Sequence, residues 1–507
     1  MRTHRFALPP RFGLALAGCL ALATPAAAQH MRVAIQSDPN MLDPAQSGAY
    51  VERIVFGALC DKLVDVAPDL SLRPELATRW EWSADAMALT LTLRADARFH
   101  DGSVIDAQAV ATNLERYRSA RESRRRAELS AVRAVEVSGP TQVTLQLEKP
   151  FAPLVSVLAD RAGMMLSPAA LAAHGARIHE NPVCSGPFRF TRRVVQDRIE
   201  TEKFAGHWNA ANIHAERLTF FPIPDSTVRL LNLRAGQLDM IVAVAPNDVP
   251  EAMRDRRIQI VDAAAIAYQT MEINTGNGAR AQGPLGRDRR VREAFELSLD
   301  RTIINQVALD GRFIANNQAE VPGTPYHFAD LAPPARNLDR ARALLREAGQ
   351  PNVSFTLNVI NSPIESQVGQ IIQAMAAEAG IEVKLEVLEA AATVAKVERG
   401  EFDAFIGIWS GRPDPDGNYS IWFACDGFVN RGKYCNPVVD AALAAGRSAT
   451  DTAVRQRHYR TAVTQILADR PHLILYHHRW FWGLRAGISG FEPSPDGIIR
   501  WAGIRLP

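Results

Sequence analysis

The polar loop Ser410–Asn418 is the first candidate for a binding site in this sequence. It carries three charged side chains, Arg412, Asp414 and Asp416, among glycine, proline and asparagine residues that favour turns. The stretch before it, Phe402–Trp409, is almost entirely apolar, which is typical of a strand buried on both faces of a sheet. The sequence therefore predicts that these charged groups lie just beyond the end of a buried strand.

The residues before this strand predict the sheet that positions the loop. Two alternating stretches are separated by apolar residues at helical spacing, and glycines stand where each helix must end. The predicted order is a strand at Ser354–Ile360, a helix from Ser362 to Gly380, a strand at Ile381–Leu388 and a helix at Ala391–Arg399. Such alternation builds a doubly wound α/β sheet, in which ligands bind beyond the carboxyl ends of the strands. The loop lies at that edge.

A second copy of this pattern occurs earlier in the chain. A helix at Thr227–Arg234 is followed by a strand at Leu238–Val244, and Gly236-Gln-Leu-Asp239 matches Gly400-Glu-Phe-Asp403 in type and position. Since helix-to-strand joints often look alike, a coincidence remains the alternative. Together with the length of 507 residues, which exceeds what one core can use, the pattern favours two α/β lobes that share a cleft.

The first 28 residues predict a secretory signal peptide. Three arginines precede a short apolar run, and Ala26-Ala-Ala28 offers a cleavage site before Gln29. The alternative is a lipid anchor at Cys19, because Leu16-Ala-Gly-Cys19 matches a bacterial lipobox. Cleavage at Gln29 removes three arginines and no acid, which changes the formal net charge from +2 to −1. A near-neutral chain gives no electrostatic reason to expect nucleic acid or anionic membranes as partners.

The basic run Arg121–Arg126 and the cysteines admit structural explanations. The run is interpreted as a solvated helix face. Four cysteines follow the signal peptide, and an even number in an oxidising compartment indicates disulfides. Cys425 and Cys435 flank a loop that a disulfide would close, which leaves Cys60 either paired with Cys184 or free, as two thiols.

Motifs for catalysis and cofactor binding are weak or absent. A dinucleotide-like glycine pattern at 276–281 lacks the helix it needs, and the P-loop-like spacing at 427–433 is followed by Tyr434 in place of Ser or Thr. Neighbouring His477 and His478 would point to opposite faces of a strand, so structural histidines are favoured over metal ligands. We predict no catalytic residue, no metal and no cofactor.

The chain nevertheless resembles a known family through motifs that occur in order along nearly all of its length. These are Leu42-Asp-Pro44, Pro74-Glu-Leu-Ala-Thr-Arg-Trp80, Phe99-His-Asp-Gly102, Ser185-Gly-Pro-Phe188, Asp288-Arg-Arg-Val-Arg-Glu-Ala-Phe295, Ala341–Gly349 and Trp409-Ser-Gly411 with Asp414-Pro415. They look like signatures of the bacterial extracellular solute-binding proteins of family 5, the receptors of peptide, glutathione and nickel ABC importers.

The resemblance implies a two-lobed α/β periplasmic-binding-protein fold of class II, with three subdomains and a hinge between the lobes. It also implies a monomer in the periplasm that delivers its ligand to the membrane permease of an ABC importer. The predicted ranges are residues 29–47, 181–265 and 482–507 for lobe I, 48–180 for a subdomain inserted in lobe I, and 266–481 for lobe II.

Relatives that bind peptides are expected to place an Asp for the ligand's α-amino group where this sequence has Arg412. A guanidinium pairs with a carboxylate and repels an ammonium, so an acidic, glutathione-like solute is favoured. The alternative is that Arg412 pairs with Asp414 or Asp416 and shapes the loop. The predicted ligand-binding residues are Ser47, Gly48, Tyr50, Ala245, Trp409, Ser410, Gly411, Arg412, Asp414 and Tyr476.

The sequence as a whole predicts a receptor for a peptide-like solute, either a dipeptide, an oligopeptide or a glutathione-like molecule. Within the same family, a receptor for nickel or a metal chelate is the alternative, and it would depend on His477 or His478. From a different class, a secreted peptidase is the alternative, and it would turn peptides over instead of binding them intact.

Overall fold

The structure is a computed structural model that describes residues 29–507, apart from the side chains of residues 390 and 391. The predicted signal peptide and the lipobox cysteine lie outside the described residues. The strands are β1 His30–Ile35, β2 Val64–Val66, β3 Leu72–Pro74, β4 Ala77–Trp82, β5 Ala88–Leu93, β6 Val132–Gly139, β7 Gln142–Leu147, β8 Phe188–Val194, β9 Arg198–Lys203, β10 Arg217–Pro222, β11 Met240–Ile241, β12 Ile258–Ile273, β13 Ile314–Ala315, β14 Val353–Ile360, β15 Ile381–Leu388, β16 Ala404–Trp409 and β17 His472–Arg485.

The helices surround the sheets that these strands form. They are α1 Tyr50–Leu59, α2 Ala107–Ser119, α3 Leu154–Val157, α4 Pro168–His174, α5 Ser226–Arg234, α6 Val249–Ala252, α7 Pro284–Arg287, α8 Arg289–Ser298, α9 Arg301–Leu309, α10 Leu338–Glu347, α11 Pro363–Glu378, α12 Ala390–Glu398, α13 Asp416–Phe423, α14 Pro437–Ser448 and α15 Thr452–Asp469. No helix of the described residues is both long and apolar enough to cross a lipid bilayer.

One eleven-stranded sheet runs through both halves of the molecule. Its strand order is β15-β14-β16-β12-β17-β11-β1-β10-β9-β8, and β13 pairs with β17. We call the half built on β1 and β8–β11 lobe I, and the half built on β13–β16 lobe II. The long antiparallel strands β12 and β17 belong to both, and their pairing is irregular between Ala264 and Tyr268. The two lobes are therefore joined by a pair of crossing strands.

Lobe II contains the doubly wound unit that the sequence predicts. β14 pairs in parallel with β15 on one side and with β16 on the other. Helix α11 begins where Ser362 accepts a hydrogen bond from the backbone of Glu365, with Pro363 in the first turn, and Gly380 follows its end at φ +87°. The strands form because their apolar residues alternate towards the core that includes Phe355, Leu357 and Ile406.

Lobe I repeats this topology. β1 pairs in parallel with β10 on one side and β11 on the other, and α5 connects β10 to β11 as α12 connects β15 to β16. In lobe I, Asp239 accepts a hydrogen bond from the backbone N–H of Arg32 at 2.9 Å. In lobe II, Asp403 accepts one from the backbone N–H of Thr356 at 2.8 Å. The two Gly-x-x-Asp sequences thus occupy equivalent places.

A separate four-stranded antiparallel sheet, in the order β4-β5-β7-β6, lies within the predicted inserted subdomain. It has its own core, in which Leu89, Leu91, Val143 and Leu145 from the sheet pack with Tyr117 of α2. We call residues 48–180 the inserted segment. The disulfides Cys60–Cys184 and Cys425–Cys435 are both present. The predicted pairing of Cys425 with Cys435 is confirmed, and Cys60 and Cys184 are paired with each other and are not free thiols.

Several predicted elements differ from the structure. Between Arg289 and Leu309 the chain forms two helices, α8 and α9, because the Asp300 side chain accepts hydrogen bonds from Thr302 and Ile303 and starts a new helix. The strand predicted at 238–244 is reduced to β11, because Ala243 adopts φ +52° and turns the chain out of the sheet. The run at 121–126 is a series of turns instead of a helix face.

Candidate functional site

A cavity of about 340 Å³ lies between the inserted segment and lobe II. The inserted segment contributes residues 127–130 and 151–160, and lobe II contributes Trp409, the loop that follows β16, helix α13 and the disulfide-closed loop. The lining residues on which the chemistry depends are Glu128, Phe151, Asp160, Trp409, Arg412, Asp414, Asp416, Phe428 and Arg447. The site therefore lies at the predicted edge of the lobe II sheet and is completed by the other half of the molecule.

The two halves of the molecule are in contact beside this cavity. The backbone N–H of Ala152 in the inserted segment donates to the carbonyl of Arg447 in α14 at 3.0 Å. Across the cavity, Arg412 Nε lies 3.4 Å from Asp160 Oδ2. A solute in the cavity would thus be enclosed between groups from two bodies of the protein.

The loop after β16, Ser410–Pro415, presents Arg412 to the cavity. Gly411 adopts φ +75°, and a Cβ at this position would lie 2.4 Å from the carbonyl oxygen of Ile266, so a side chain has no room here. The Arg412 guanidinium carbon lies 4.6 Å from the centre of the Trp409 ring, a cation–π geometry. Its Nη1 donates to the carbonyl of Gly411 at 2.7 Å. The guanidinium is thereby fixed against its own strand end.

Asp160 is surrounded by guanidinium groups. Arg53 Nε donates to it at 3.0 Å, and Arg161 Nε lies 3.8 Å away. Burial alone would raise the pKa of Asp160, but Arg53, Arg161 and Arg412 outweigh it and hold that pKa well below the usual range. The ionised form of Asp160 is therefore favoured at neutral pH.

Two arginines of the inserted segment extend this group beneath the residues that precede α1. Arg125 Nη2 and Arg161 Nη1 donate to the carbonyl of Ser47 at 3.1 and 3.3 Å, and Arg125 also pairs with Glu128 at 2.7 Å. We call Arg53, Arg125, Arg161 and Arg412 the arginine cluster. Burial, followed by repulsion from the other three guanidiniums, lowers the pKa of Arg161 to about 9.

The arginine cluster has more positive than negative charge and more donors than acceptors. Four guanidiniums face two carboxylates, those of Asp160 and Glu128. Three buried N–H groups, Arg53 Nη1, Arg125 Nε and Arg161 Nε, find no acceptor among the described residues, and the Ser47 hydroxyl and Asp160 Oδ2 also lack a hydrogen-bond partner there. Since a buried unpaired donor costs free energy, this arrangement favours an additional anionic acceptor.

The acidic residues of the lobe II wall have arginine partners of their own. Asp414 Oδ1 pairs with Arg455 at 2.8 Å, and Asp416 Oδ1 pairs with Arg447 at 3.0 Å. Arg412 is paired with neither, so the alternative in which it merely neutralises one of these acids is wrong. Its carboxylate neighbour is Asp160, on the opposite side of the cavity.

Part of the remaining wall of the cavity is apolar. Phe151, Pro153 and Val157 come from the inserted segment, and Ile421 and Phe428 come from lobe II. Phe428 lies within the loop closed by the Cys425–Cys435 disulfide and is 57% exposed. A ligand with one charged and one apolar end would match the two ends of this cavity.

Some predicted site residues lie at the cavity and others do not. Trp409, Arg412 and Asp414 line it, and Ser410 Oγ accepts a hydrogen bond from Arg412 Nη1 at 3.3 Å. Gly411 shapes the loop. Ser47 supports the arginine cluster through its carbonyl, whereas Gly48 donates its N–H to Glu52 at 2.7 Å. Ligand contact by these residues stays a prediction.

Three further predicted residues are occupied elsewhere. Tyr50 stacks on Trp480 at 5.0 Å and donates to the carbonyl of Gly497, both in lobe I. Ala245 precedes a short turn after β11 and does not line the cavity. Tyr476 is buried in the lobe II core, so its predicted place in the pocket wall is not what the structure shows. Both faces of β17 pack against other parts of the protein at this point, so the Tyr476 side chain enters a core and not the cavity.

Four residues at or behind the cavity are not among the predicted ligand-binding residues: Arg53, Arg125, Asp160 and Arg161. Arg125 is 4% exposed and belongs to the basic run that was interpreted as solvated. A usable signal exists for the other side of the cavity, because Asp160 and Arg161 stand together in the otherwise apolar stretch 157–166. Charged residues in such a stretch are rarely buried without a partner.

His472, His477 and His478 each have a hydrogen-bond partner within the protein. His472 Nδ1 lies 3.2 Å from Thr270 Oγ1, His477 Nε2 lies 3.0 Å from the carbonyl of Gln318, and His478 Nε2 lies 3.1 Å from Gln269 Oε1. Burial lowers the pKa of each ring, to about 3, 4 and 3 respectively. In the part of the chain that the structure describes, no group of three or more His, Cys, Asp or Glu side chains could hold a metal ion.

Comparison with known proteins adds a family and a set of neighbours. The family model for bacterial extracellular solute-binding proteins, family 5 (middle), matches residues 71–430. The glutathione-binding protein GsiB of Pectobacterium atrosepticum is 28% identical over 489 residues, which are 94% of this chain and 94% of that protein.

Solved structures show the same architecture. A dipeptide-binding protein from a Pseudoalteromonas species, in complex with Met-Leu, has a TM-score of 0.85 at 19% identity and covers 94% of this chain and 100% of its own. The protein AgaA from A. tumefaciens, in complex with agropinic acid, has a TM-score of 0.84 at 23% identity over 94% of this chain and 99% of its own. These likenesses confirm the predicted two-lobed α/β fold.

Proposed function

Because the chain belongs to family 5 of the bacterial extracellular solute-binding proteins, we propose that it is the receptor of an ABC importer for a small peptide-like solute with at least one free carboxylate. The solute binds in the cavity between the inserted segment and lobe II, with its carboxylate on Arg412, the member of the arginine cluster that lines the cavity, and its apolar part towards Phe151 and Phe428. The receptor then hands the solute, chemically unchanged, to the membrane permease.

The charge balance of the arginine cluster is the observation that carries this proposal. Its guanidiniums outnumber the carboxylates that they contact, and three of its buried N–H groups lack an acceptor among the described residues. A ligand carboxylate bound by Arg412 would supply the negative charge that this cluster lacks. A cationic ligand group would increase the repulsion that already lowers the pKa of Arg161.

The size of the cavity favours a small solute. A volume of about 340 Å³ lies near the lower end of the roughly 300–1,000 Å³ that ligand pockets occupy. We therefore expect a solute of dipeptide or tripeptide size and not a long oligopeptide. Glutathione and agropinic acid, which two of the relatives are named for or hold, are both acids of this small size class.

The remaining expectations from the sequence belong to the same proposal. Residues 1–28 would direct export to the periplasm, with a lipid anchor at Cys19 as the alternative. The domain ranges 29–47, 181–265 and 482–507, then 48–180, then 266–481 are proposed boundaries, and the irregular pairing near Ala264 supports a hinge there. The protein would act as a monomer and would have no enzymatic activity.

The experiment starts from the solute that copurifies with the mature protein. We expect denaturation and mass spectrometry to release an intact acidic molecule of dipeptide to tripeptide size. Calorimetry with glutathione as the probe should then show one site per chain and a higher melting temperature. Glutathione with both carboxylates esterified is the matched control, and it should bind far more weakly.

Other outcomes would separate the alternatives. Turnover of a peptide by the purified protein would support the secreted peptidase. Binding that is lost on treatment with a chelator would support the nickel or metal-chelate receptor. Equal affinity for glutathione and its ester would contradict a site selected for carboxylate.

A further inference from the structure

The side chain of Asn418, in helix α13, uses its complete hydrogen-bonding capacity on the loop that presents Arg412. Its Oδ1 accepts from Trp409 Nε1 at 3.1 Å and from the backbone N–H of Arg412 at 2.8 Å. Its Nδ2 donates to the carbonyl of Arg412 and to Glu320 Oε1, both at 2.8 Å. An asparagine amide offers two acceptor sites and two donors, so none remains free.

The orientation of this amide follows from its partners. The Trp409 indole and the Arg412 backbone N–H can donate only, so they must face the oxygen of Asn418, and the Arg412 carbonyl can accept only, so it must face the nitrogen. Asn418 is 1% exposed, so water does not compete for these bonds. The side chain therefore clamps both backbone polar groups of Arg412.

The clamp reaches the functional side chain through short links. Trp409 carries the ring against which the Arg412 guanidinium packs at 4.6 Å, and Asn418 holds the edge of that ring. Gly417 lies so close beneath Arg412 that a Cβ there would be 2.6 Å from Arg412 Cγ. All of these residues belong to lobe II, so the clamp does not depend on contact with the inserted segment.

We infer that Asn418 is a positioning residue, which fixes Trp409 and Arg412 in the orientation that receives a ligand carboxylate before the two halves of the molecule close. The inference rests on the proposed function in assigning the carboxylate to Arg412. Preorganisation of this kind raises affinity because the loop loses no conformational freedom when the ligand arrives. Asn418 itself does not line the cavity.

A double-mutant cycle on the full mature chain tests the coupling between the two residues. Glutathione is the probe, and its dissociation constant is measured by calorimetry for wild type, Asn418→Ala, Arg412→Ala and the double variant. We expect Asn418→Ala to weaken binding by about 10-fold or more in the wild-type background and by less than about 2-fold when Arg412 is already absent. Equal losses in both backgrounds would overturn the inference, as would unchanged affinity in Asn418→Ala.

Asn274 provides a matched control for loss of a buried amide. It is fully buried in lobe II and makes a similar set of bonds, donating to the carbonyls of Asn277 and Phe402 and accepting from the Asn277 N–H. However, its backbone N–H donates to the carbonyl of Asp403 at the start of β16, whereas Trp409 and the cavity lie at the other end of that strand. Asn274→Ala should therefore lower the melting temperature as Asn418→Ala does, while its glutathione affinity stays within about 2-fold of wild type.

Hydrogen exchange without any ligand gives a second readout. In Asn418→Ala, amide exchange should become faster in the peptide that covers residues 409–418 and stay unchanged across the remainder of lobe II. Unchanged exchange in 409–418 would overturn the inference even if affinity falls. If wild type binds neither glutathione nor an acidic solute that copurifies with it, the proposed function fails, and the exchange data alone decide whether Asn418 positions the loop.

Discussion

Lobe I and lobe II form the same strand topology, yet their equivalent strand ends are put to opposite uses. β11 and β16 each begin just after an aspartate that accepts a hydrogen bond from the neighbouring parallel strand, Asp239 in one lobe and Asp403 in the other. After β11, the backbone is held by contacts within lobe I. Beyond β16, the chain presents a guanidinium to the opposite half of the molecule.

The two lobes differ in the group that receives the backbone after the strand. In lobe I, Arg229 of α5 is 3% exposed and donates to the carbonyls of Val242 and Ala243 after β11 and of Ile223 and Pro224 after β10. The Arg229 guanidinium therefore stabilises the fold of lobe I. In lobe II, the neutral amide of Asn418 takes this role, and an arginine remains available on the loop itself. The sheet therefore determines where a site can lie, and the loop determines whether one exists.

Removing Arg229 should have the largest effect on stability. Arg229→Met keeps the apolar volume of the side chain but leaves four carbonyls without their donor, so we expect the free energy of unfolding to fall by about 3–5 kcal/mol. Urea denaturation would measure this. At protein concentrations and temperatures where the variant is folded, its affinity for an acidic solute should match that of wild type.

Removing Arg412 should produce the reverse pattern. Arg412→Ala is expected to weaken binding of an acidic solute by about 2–4 kcal/mol, because the carboxylate loses a buried charged partner. The free energy of unfolding should change little, since Arg412 lies at a cavity and not in a core. Calorimetry and urea denaturation on both arginine variants would make the comparison, and unchanged affinity would remove Arg412 from the site.

Glu320, the carboxyl group that Asn418 contacts, should make the stability of lobe II depend on pH. Burial raises its pKa from the ordinary 4.5 to about 8, against the opposing hydrogen bond from Asn418, with Asp414 and Arg455 as the nearest charges. As pH rises from about 4.5 to about 8, the unfolded chain releases this proton and the folded chain keeps it, so the free energy of unfolding falls by up to about 1.4 kcal/mol for each pH unit in this interval. Above pH 8 the effect is complete.

The variant Glu320→Gln isolates this contribution. It should show a smaller loss of stability between pH 5 and pH 8 than wild type, as measured by urea denaturation at both values. Glu398→Gln, at an exposed position of α12, is the control and should behave as wild type. A slope that is identical in wild type and Glu320→Gln would show that Glu320 is ionised throughout.

The smallest expected difference concerns the two aspartates. Asp239 is 1% exposed and also pairs with Arg32 Nε at 2.9 Å and Arg485 at 3.2 Å, whereas Asp403 pairs with the half-exposed Arg280 at 3.3 Å. Asp239→Asn should therefore cost roughly 1 kcal/mol more than Asp403→Asn in urea denaturation. Equal costs would show that the shared backbone hydrogen bond carries the whole effect.

The part of the fold that rests on local signals was predictable from the sequence. Alternation in Ser354–Ile360 and glycine at position 380 locate β14 and the end of α11, because strand burial and helix termination depend on neighbouring residues. β11 was predicted too long, since nothing local indicates that Ala243, which is not a glycine, takes a positive φ. The family prediction, which is confirmed, also rests on short runs of neighbouring residues.

The candidate site was predictable on one side only. The β16 loop was found because it follows a buried strand, which is a local pattern. The arginine cluster was missed, because Arg53, Arg125 and Arg161 are far apart in the chain and meet only when the inserted segment folds. Tyr476 was misplaced for a related reason, since the sequence does not reveal which face of a strand meets the cleft and which meets a core.

The crossing strands have a consequence for how the protein is made. β12 pairs with β17 from Ile258–Arg485 to Glu272–His472, and β11 of lobe I pairs with β17 as well. Nearly the whole chain must therefore be synthesised before β12 and β17 can pair, whatever the order in which the outer strands associate. Contacts of such long range slow folding, so the nascent polypeptide stays incomplete, and in need of protection from aggregation, until its last strand emerges.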